Sequence, residues 1–239
     1  MIEERFSRTA RLVGEAALSR LQNSRVLLVG LGGVGGYACE ALARAGVGTL
    51  TLVDVDRVSE SNINRQILAD DTTVGRPKAA VAAERVARIN PRAAVHPLEL
   101  FVDEGNAASL LAAERPDYVI DAIDTVSGKV ALICAARAAG IPVVSCMGTG
   151  NKLEANKLQI ADIAKTSVCP LCRVMRVRLR KEGIVHLPVL FSTEPPRAPQ
   201  EQITENGRHI PASISYVPAV AGLLLAGHVI RALMDENDV

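Results

Sequence analysis

Tryptophan is absent, and three phenylalanines and three tyrosines are the only aromatic residues besides histidine. The core therefore has to be built from alanine, valine, leucine and isoleucine. Net charge is almost absent too. Lys and Arg number 27 against 26 Asp and Glu, leaving +1, which announces neither a nucleic-acid nor a membrane partner. Local charge has to decide that question. No Pro/Gly/Ser-rich stretch divides the 239 residues, so they read as one large α/β domain with a buried core. The opening MIEERFSRTARL carries charges where a signal peptide needs an apolar run, so export is not expected. Five cysteines (Cys39, Cys134, Cys146, Cys169, Cys172) lack the spacing of a secreted framework and fit reduced thiols in a cytoplasm. The longest apolar stretch runs from Val217 to Leu225 and on past Gly227 and His228 to Leu233. It is marginal for a bilayer span, and His228 and Arg231 interrupt it. A buried C-terminal helix is expected without stable membrane insertion; peripheral contact with lipid is the alternative.

What is present alternates. Arg25–Gly30, Gly48–Asp54, Ala94–Leu98, Tyr118–Asp121 and Pro142–Cys146 are short, branched and nearly free of charge, as strands covered on both faces are. Between them Gly33–Ala45, Lys78–Ile89, Gly105–Ala113 and Lys129–Ala139 carry helical periodicity. Such alternation predicts a doubly wound, mostly parallel sheet of Rossmann-like type. Further on, Lys157–Ile163 reads as a strand, Pro170–Glu182 as a basic amphipathic helix and Val189–Pro211 as a mobile loop. Tyr216–Leu233 closes the chain as a helix. The expected organisation is a helical arm over residues 1–24, a nucleotide-binding core over 25–150, and a substrate and dimer segment over 151–239.

Gly30-Leu31-Gly32-Gly33-Val34-Gly35 follows a strand and opens a helix, where glycines let backbone N–H groups approach a phosphate. Asp54 ends the next strand, where a carboxylate can accept from ribose hydroxyls. Asn62, Arg65 and Lys78 then arrive beside the glycine loop. NAD has no triphosphate for such groups to hold. Splitting ATP between its α- and β-phosphates builds charge on the leaving pyrophosphate, which fixed cations stabilise.

The series GLGGVGG, LVDVD, SNINRQ, GRPK and DAID resembles that of the E1-like (ThiF/MoeB/HesA-type) adenylating superfamily. The resemblance implies that Gly30, Gly32, Gly33 and Gly35 line the phosphates of ATP and that Asp54 holds the ribose. It makes Asn62, Arg65 and Lys78 phosphate contacts, with Arg65 and Lys78 catalytic, and makes Asp124 the catalytic ligand of Mg²⁺. Asp121 reads equally well as a carboxylate capping the turn after its strand. In the arm RFSRTARL, Arg8 matches an arginine that reaches into the partner's ATP site in E1-like homodimers. Asp56 and Gln66 match the pattern without an assigned role.

Later segments, MGTGNK, ADIAKT, CPLCRVMRVRLRKEGI, STEPP and SISYVPAVAGLLLAGHVI, resemble the tRNA threonylcarbamoyladenosine dehydratase family. The resemblance implies adenylation of the threonylcarbamoyl carboxylate at position 37 of tRNA (t6A37), followed by dehydrating cyclisation. Arg173, Arg176, Arg178, Arg180 and Lys181 crowd the predicted helix Pro170–Glu182, a patch able to neutralise tRNA phosphates, with Arg173, Arg176, Arg180 and Lys181 as the candidate contacts and Arg176 and Arg180, four residues apart, on one face. The resemblance leaves room for a cysteine desulfurase or sulfur-acceptor partner. One CxxC pair, Cys169 and Cys172, stands alone. Structural zinc normally takes four soft ligands, so zinc is not expected, and the pair is either redox-active or inert. Cys172 occupies a position where the family has a small residue. Two other functions stay open: activation of the C-terminal glycine of a ubiquitin-like sulfur carrier, and an NAD-binding dehydrogenase or nucleotide sensor.

Overall fold

A computed structural model of the chain describes residues 2–201, 204–205, 208–209 and 211–234. Neighbouring strand residues face opposite sides of a sheet, and here both sides are covered. In β1 (Arg25–Val29), Val26 and Leu28 enter one apolar cluster, while Leu27 and Val29 enter another. The first cluster collects α1 (Ser7–Asn23), α2 (Gly35–Ala45), α3 (Lys78–Ile89) and α7 (Tyr216–Met234). The second collects α4 (Ala107–Glu114), α5 (Val126–Ala138) and α6 (Pro170–Lys181). Burial on both faces is why the inner strands read as unbroken apolar runs; Ala94–Leu98, expected to be covered on both faces, lies at the sheet edge and is exposed or half-buried along its whole length.

The remaining strands are β2 (Thr49–Val53), β3 (Ala94–Leu98), β4 (Tyr118–Asp121), β5 (Val143–Cys146), β6 (Leu158–Asp162) and β7 (Pro188–Ser192). Their order across the sheet is β3-β2-β1-β4-β5-β7-β6. All neighbours are parallel except β6 and β7, which run antiparallel at the edge. From β1 the chain winds outward through β2 to β3, then crosses back to place β4 on the other side of β1. That reversal opens a crevice beyond the carboxyl ends of β1 and β4, where ligands of open α/β sheets bind.

The doubly wound parallel sheet expected from the sequence is present. The loop expected over residues 189–211 is not one throughout. Pro188–Ser192 is a strand, nearly wholly buried, seated between β5 and β6. Beyond it Thr204–Glu205 pairs with Arg208–His209; residues 202–203, 206–207 and 210 lie outside the described residues. α7 is long and apolar enough to cross a membrane by length and composition. It packs instead along α2 and buries Val217, Ala221, Leu225, Ala226 and Val229.

Candidate nucleotide site

The turn from β1 into α2 is built around a close backbone contact. A Cβ on Gly35 would lie 1.7 Å from the Gly30 carbonyl oxygen, so only glycine closes this turn. Gly30 N–H donates to Val53 O (2.8 Å), and the α2 ladder begins with Gly36 N–H to Gly32 O (3.0 Å). Among the described residues, the N–H groups of Gly32, Gly33, Val34 and Gly35 donate to no acceptor. Four consecutive free donors at a helix N-terminus form a concave anion site.

Leu31 N–H is not free, because Asp54 takes it. Asp54 Oδ2 accepts from Leu31 N–H (2.6 Å) and Oδ1 accepts from Asp56 N–H (2.8 Å). The buried carboxylate at the end of β2 thus pins the glycine loop. Burial raises its pKa above the usual aspartate value, opposed by nearby Lys78 and by the two N–H bonds. Lys78 is itself buried, and its Nζ lies 2.9 Å from Asp56 Oδ2. Asp56, left without a role by the sequence, therefore holds the ammonium group that the pattern placed on the phosphates.

The segment SNINRQ packs against the same loop. A Cβ on Gly33 would come within 3.4 Å of Arg65 O, and one on Gly32 within 3.8 Å of Gln66 Nε2. Asn62 is buried, and its Oδ1 accepts from Ser59 N–H (3.2 Å) in a capping box that does not use its amide nitrogen. Arg65 Nη1 donates to Ser61 O and Asn64 Oδ1 (both 2.8 Å), fixing the side chain without occupying its other donors. Gln66 is buried with its Oε1 unpaired among the described residues.

After β4 the chain crosses over the loop: a Cβ on Gly30 would lie 2.5 Å from Ala122 O. Asp124 follows, exposed, and its carboxylate forms no hydrogen bond or ion pair with the described residues. Asp121 is fully buried. It accepts from Ile123 N–H (3.1 Å), as the capping reading required, and also from Lys129 Nζ (3.0 Å) and Ser145 Oγ (2.5 Å). The structure therefore brings Gly30, Gly32, Gly33, Gly35, Asp54, Asn62, Arg65, Lys78 and Asp124 to one edge of the sheet. Arg8 lies apart, exposed on α1, without a hydrogen bond or ion pair to the described residues of its own chain.

α6 corrects one reading. Arg176 does not share a free face with Arg180. Its guanidinium is half-buried, donating to Thr166 O (2.9 Å) and to Thr166 Oγ1, so it ties the helix to the turn after β6. The buried stripe Cys172, Met175 and Leu179 rotates Arg176 inward and leaves Arg173, Arg180 and Lys181 exposed.

Cys169 caps the same helix. The Cys172 thiol donates to Cys169 Sγ. With the N–H groups of Cys172, Gly148 and Leu171, and against the effect of burial, this bond holds the Cys169 thiol well below the ordinary thiol value. Cys172 is pushed up, chiefly because its proton is held by Cys169. Ultraviolet titration should therefore show one thiolate that persists below the ordinary thiol value and is lost only as the pH falls through the lowered value of Cys169. Replacing Cys172 by alanine removes the largest lowering cause and should move that transition upward. A wild-type transition near the ordinary thiol value would contradict the arrangement.

Comparison with known proteins agrees with this geometry. The ThiF family profile matches residues 6–239. The tRNA threonylcarbamoyladenosine dehydratase of Bacillus subtilis (strain 168) is 40% identical over 245 residues, 98% of this chain and 96% of the relative. The molybdopterin-synthase adenylyltransferase of Escherichia coli (strain K12) is 46% identical, but only over 125 residues, 52% of this chain and 49% of the relative. A crystal structure of E. coli tRNA N6-threonylcarbamoyladenosine dehydratase in complex with ATP superimposes with a TM-score of 0.89. It is 36% identical and covers 99% of this chain and 98% of that one.

Proposed function

The chain belongs to the ThiF family, and from that membership we propose that it is an ATP-dependent tRNA threonylcarbamoyladenosine dehydratase. The row of four free N–H groups at the start of α2 carries the nucleotide half of this reading. The dehydratase half rests on likeness along nearly the full chain, whereas the sulfur-carrier-activating relative matches little more than half. Arg65 and Lys78 fit a triphosphate better than a nicotinamide dinucleotide, which argues against a dehydrogenase.

A carboxylate cannot expel oxide at neutral pH. In the reaction proposed, a threonyl carboxylate oxygen attacks the α-phosphorus of ATP and the bond to the β-phosphate bridge breaks. The free donors of Gly32 to Gly35 receive phosphate oxygens, while Lys78 and Arg65 balance the charge growing on the leaving pyrophosphate. Asp54 faces the ribose and Asn62 offers its amide nitrogen. The neighbouring carbamoyl group then closes on the acyl-adenylate, favoured by proximity. AMP leaves with the former carboxylate oxygen, so the nucleoside has lost the elements of water.

Asp124 fits a magnesium ion. Its carboxylate is exposed and unpaired, and magnesium needs only one or two protein carboxylates beside phosphates and water. Bound there, the ion would neutralise phosphate charge. The enzyme acts in the cytoplasm as a homodimer. Leu12, Leu223 and Leu224 are exposed around a depression between α1 and α7, an apolar surface suited to a second copy. From that same α1, Arg8 would enter the partner's site. A nucleoside digest of tRNA treated with ATP and enzyme tests the reaction: the threonylcarbamoyl nucleoside should lose one water.

Arg173, Arg180 and Lys181 form the exposed basic face of α6 for tRNA phosphates, with Arg178 beside them. Arg173→Glu with Arg180→Glu should weaken tRNA binding and make its logarithmic salt slope shallower by about one unit per lost contact. ATP affinity should hardly change. Filter binding at several salt concentrations checks this, and unchanged slopes would remove α6 from the tRNA surface.

A further inference from the structure

Lys129 is among the largest fully buried side chains of the described residues. Its Nζ donates to Asp121 Oδ2 (3.0 Å) and to Ser145 Oγ (3.3 Å), and Ser145 Oγ donates to the same carboxylate oxygen (2.5 Å). All three residues are fully buried. Stability does not account for a buried ion pair, because well-packed apolar residues of similar volume serve as well or better. The position of the pair suggests another use.

Asp121 turns its second oxygen, Oδ1, to Ile123 N–H (3.1 Å). At the other end of the same turn, the Lys129 backbone N–H donates to Thr125 O (3.1 Å). The Lys129 side chain therefore holds residues 122–125 through Asp121 on one side, and on the other the turn runs into the first backbone bond of α5, which does not depend on the lysine side chain. Asp124 lies between the two. The turn is pressed on both flanks. Ala122 O sits over Gly30, where a Cβ would come within 2.5 Å, and a Cβ on Gly128 would come within 2.9 Å of Thr125 Oγ1. The backbone that carries Asp124 is thereby held beside the glycine loop.

We propose that Lys129 is a positioning residue which, through Asp121, fixes the turn that aims Asp124 at the nucleotide-bound cation. The inference rests on the assignment of Asp124 to magnesium above. Loss of a residue that orients a metal ligand typically weakens metal affinity about 10- to 100-fold.

The test is the ATP affinity of each variant by calorimetry, with magnesium and with a chelator in its place, beside wild type and Asp124→Ala. Lys129→Met strands the Asp121 carboxylate, so its folding is expected to suffer. Asp121→Leu with Lys129→Met removes both charges and keeps the volume apolar, so it should fold, as circular dichroism and the melting temperature will show. In that double variant the gain in affinity from magnesium should fall at least about tenfold, while metal-free ATP affinity stays near wild type. If Asp124→Ala loses the magnesium gain but the folded double variant keeps it, the role of Lys129 is overturned and that of Asp124 stands. If Asp124→Ala keeps the gain, the assignment of Asp124 fails and this inference falls with it.

Discussion

Asp124→Ala should lower ATP-dependent adenylation by about a thousandfold while leaving the fold intact, because a catalytic cation supplies several kcal/mol of charge stabilisation. The carboxylate is exposed and makes no contact with the described residues, so its removal breaks nothing that holds the structure. Its surroundings are fixed independently, by Asp121 below and by the glycine loop beside it. Single-turnover pyrophosphate release, with circular dichroism to verify folding, measures the effect. Near-normal turnover would take Asp124 out of the site.

Lys78→Met should lower the rate at saturating ATP by about a hundred- to a thousandfold, the usual loss when a preorganised stabiliser of developing charge is removed. Lys78 is buried at the start of α3 with Asp56 Oδ2 at 2.9 Å, and it sits near enough to Asp54 to oppose the rise in that group's pKa. Removing the ammonium leaves two carboxylates beside a triphosphate. Attraction in the transition state is then replaced by repulsion that grows as the pyrophosphate departs. The fall should appear in kcat more than in KM, because charge on the leaving group exists only as the bond breaks. A variant with raised KM and unchanged kcat would make Lys78 a binding residue only.

The glycine loop was legible in the sequence because its demands are local. A strand must turn into a helix within a few residues, and at Gly35 no side chain fits the turn. Strands β1, β2, β4 and β5 were legible for a similar reason: buried on both faces, they show as apolar runs whatever their neighbours are, whereas the edge strand β3 is exposed or half-buried throughout. β7 was not legible. Its five residues begin with proline and lead into STEPP, both loop signals, and only pairing with β5 and β6, far away in sequence, makes them a strand. Spacing alone set Arg176 beside Arg180, but the buried stripe of α6 turns Arg176 toward Thr166. The pairing of Asp56 with Lys78 crosses 22 residues and that of Ser145 with Asp121 crosses 24, distances at which sequence carries no pairing signal.

The most direct measurement is pyrophosphate release from ATP in the presence of tRNA that carries threonylcarbamoyladenosine, against the same tRNA without the modification. Only the modified tRNA offers a carboxylate for adenylation. Release should therefore depend on the modification and should match, mole for mole, the nucleoside that has lost water. Equal release with both tRNAs, or release driven instead by a small protein ending in glycine, would contradict the account.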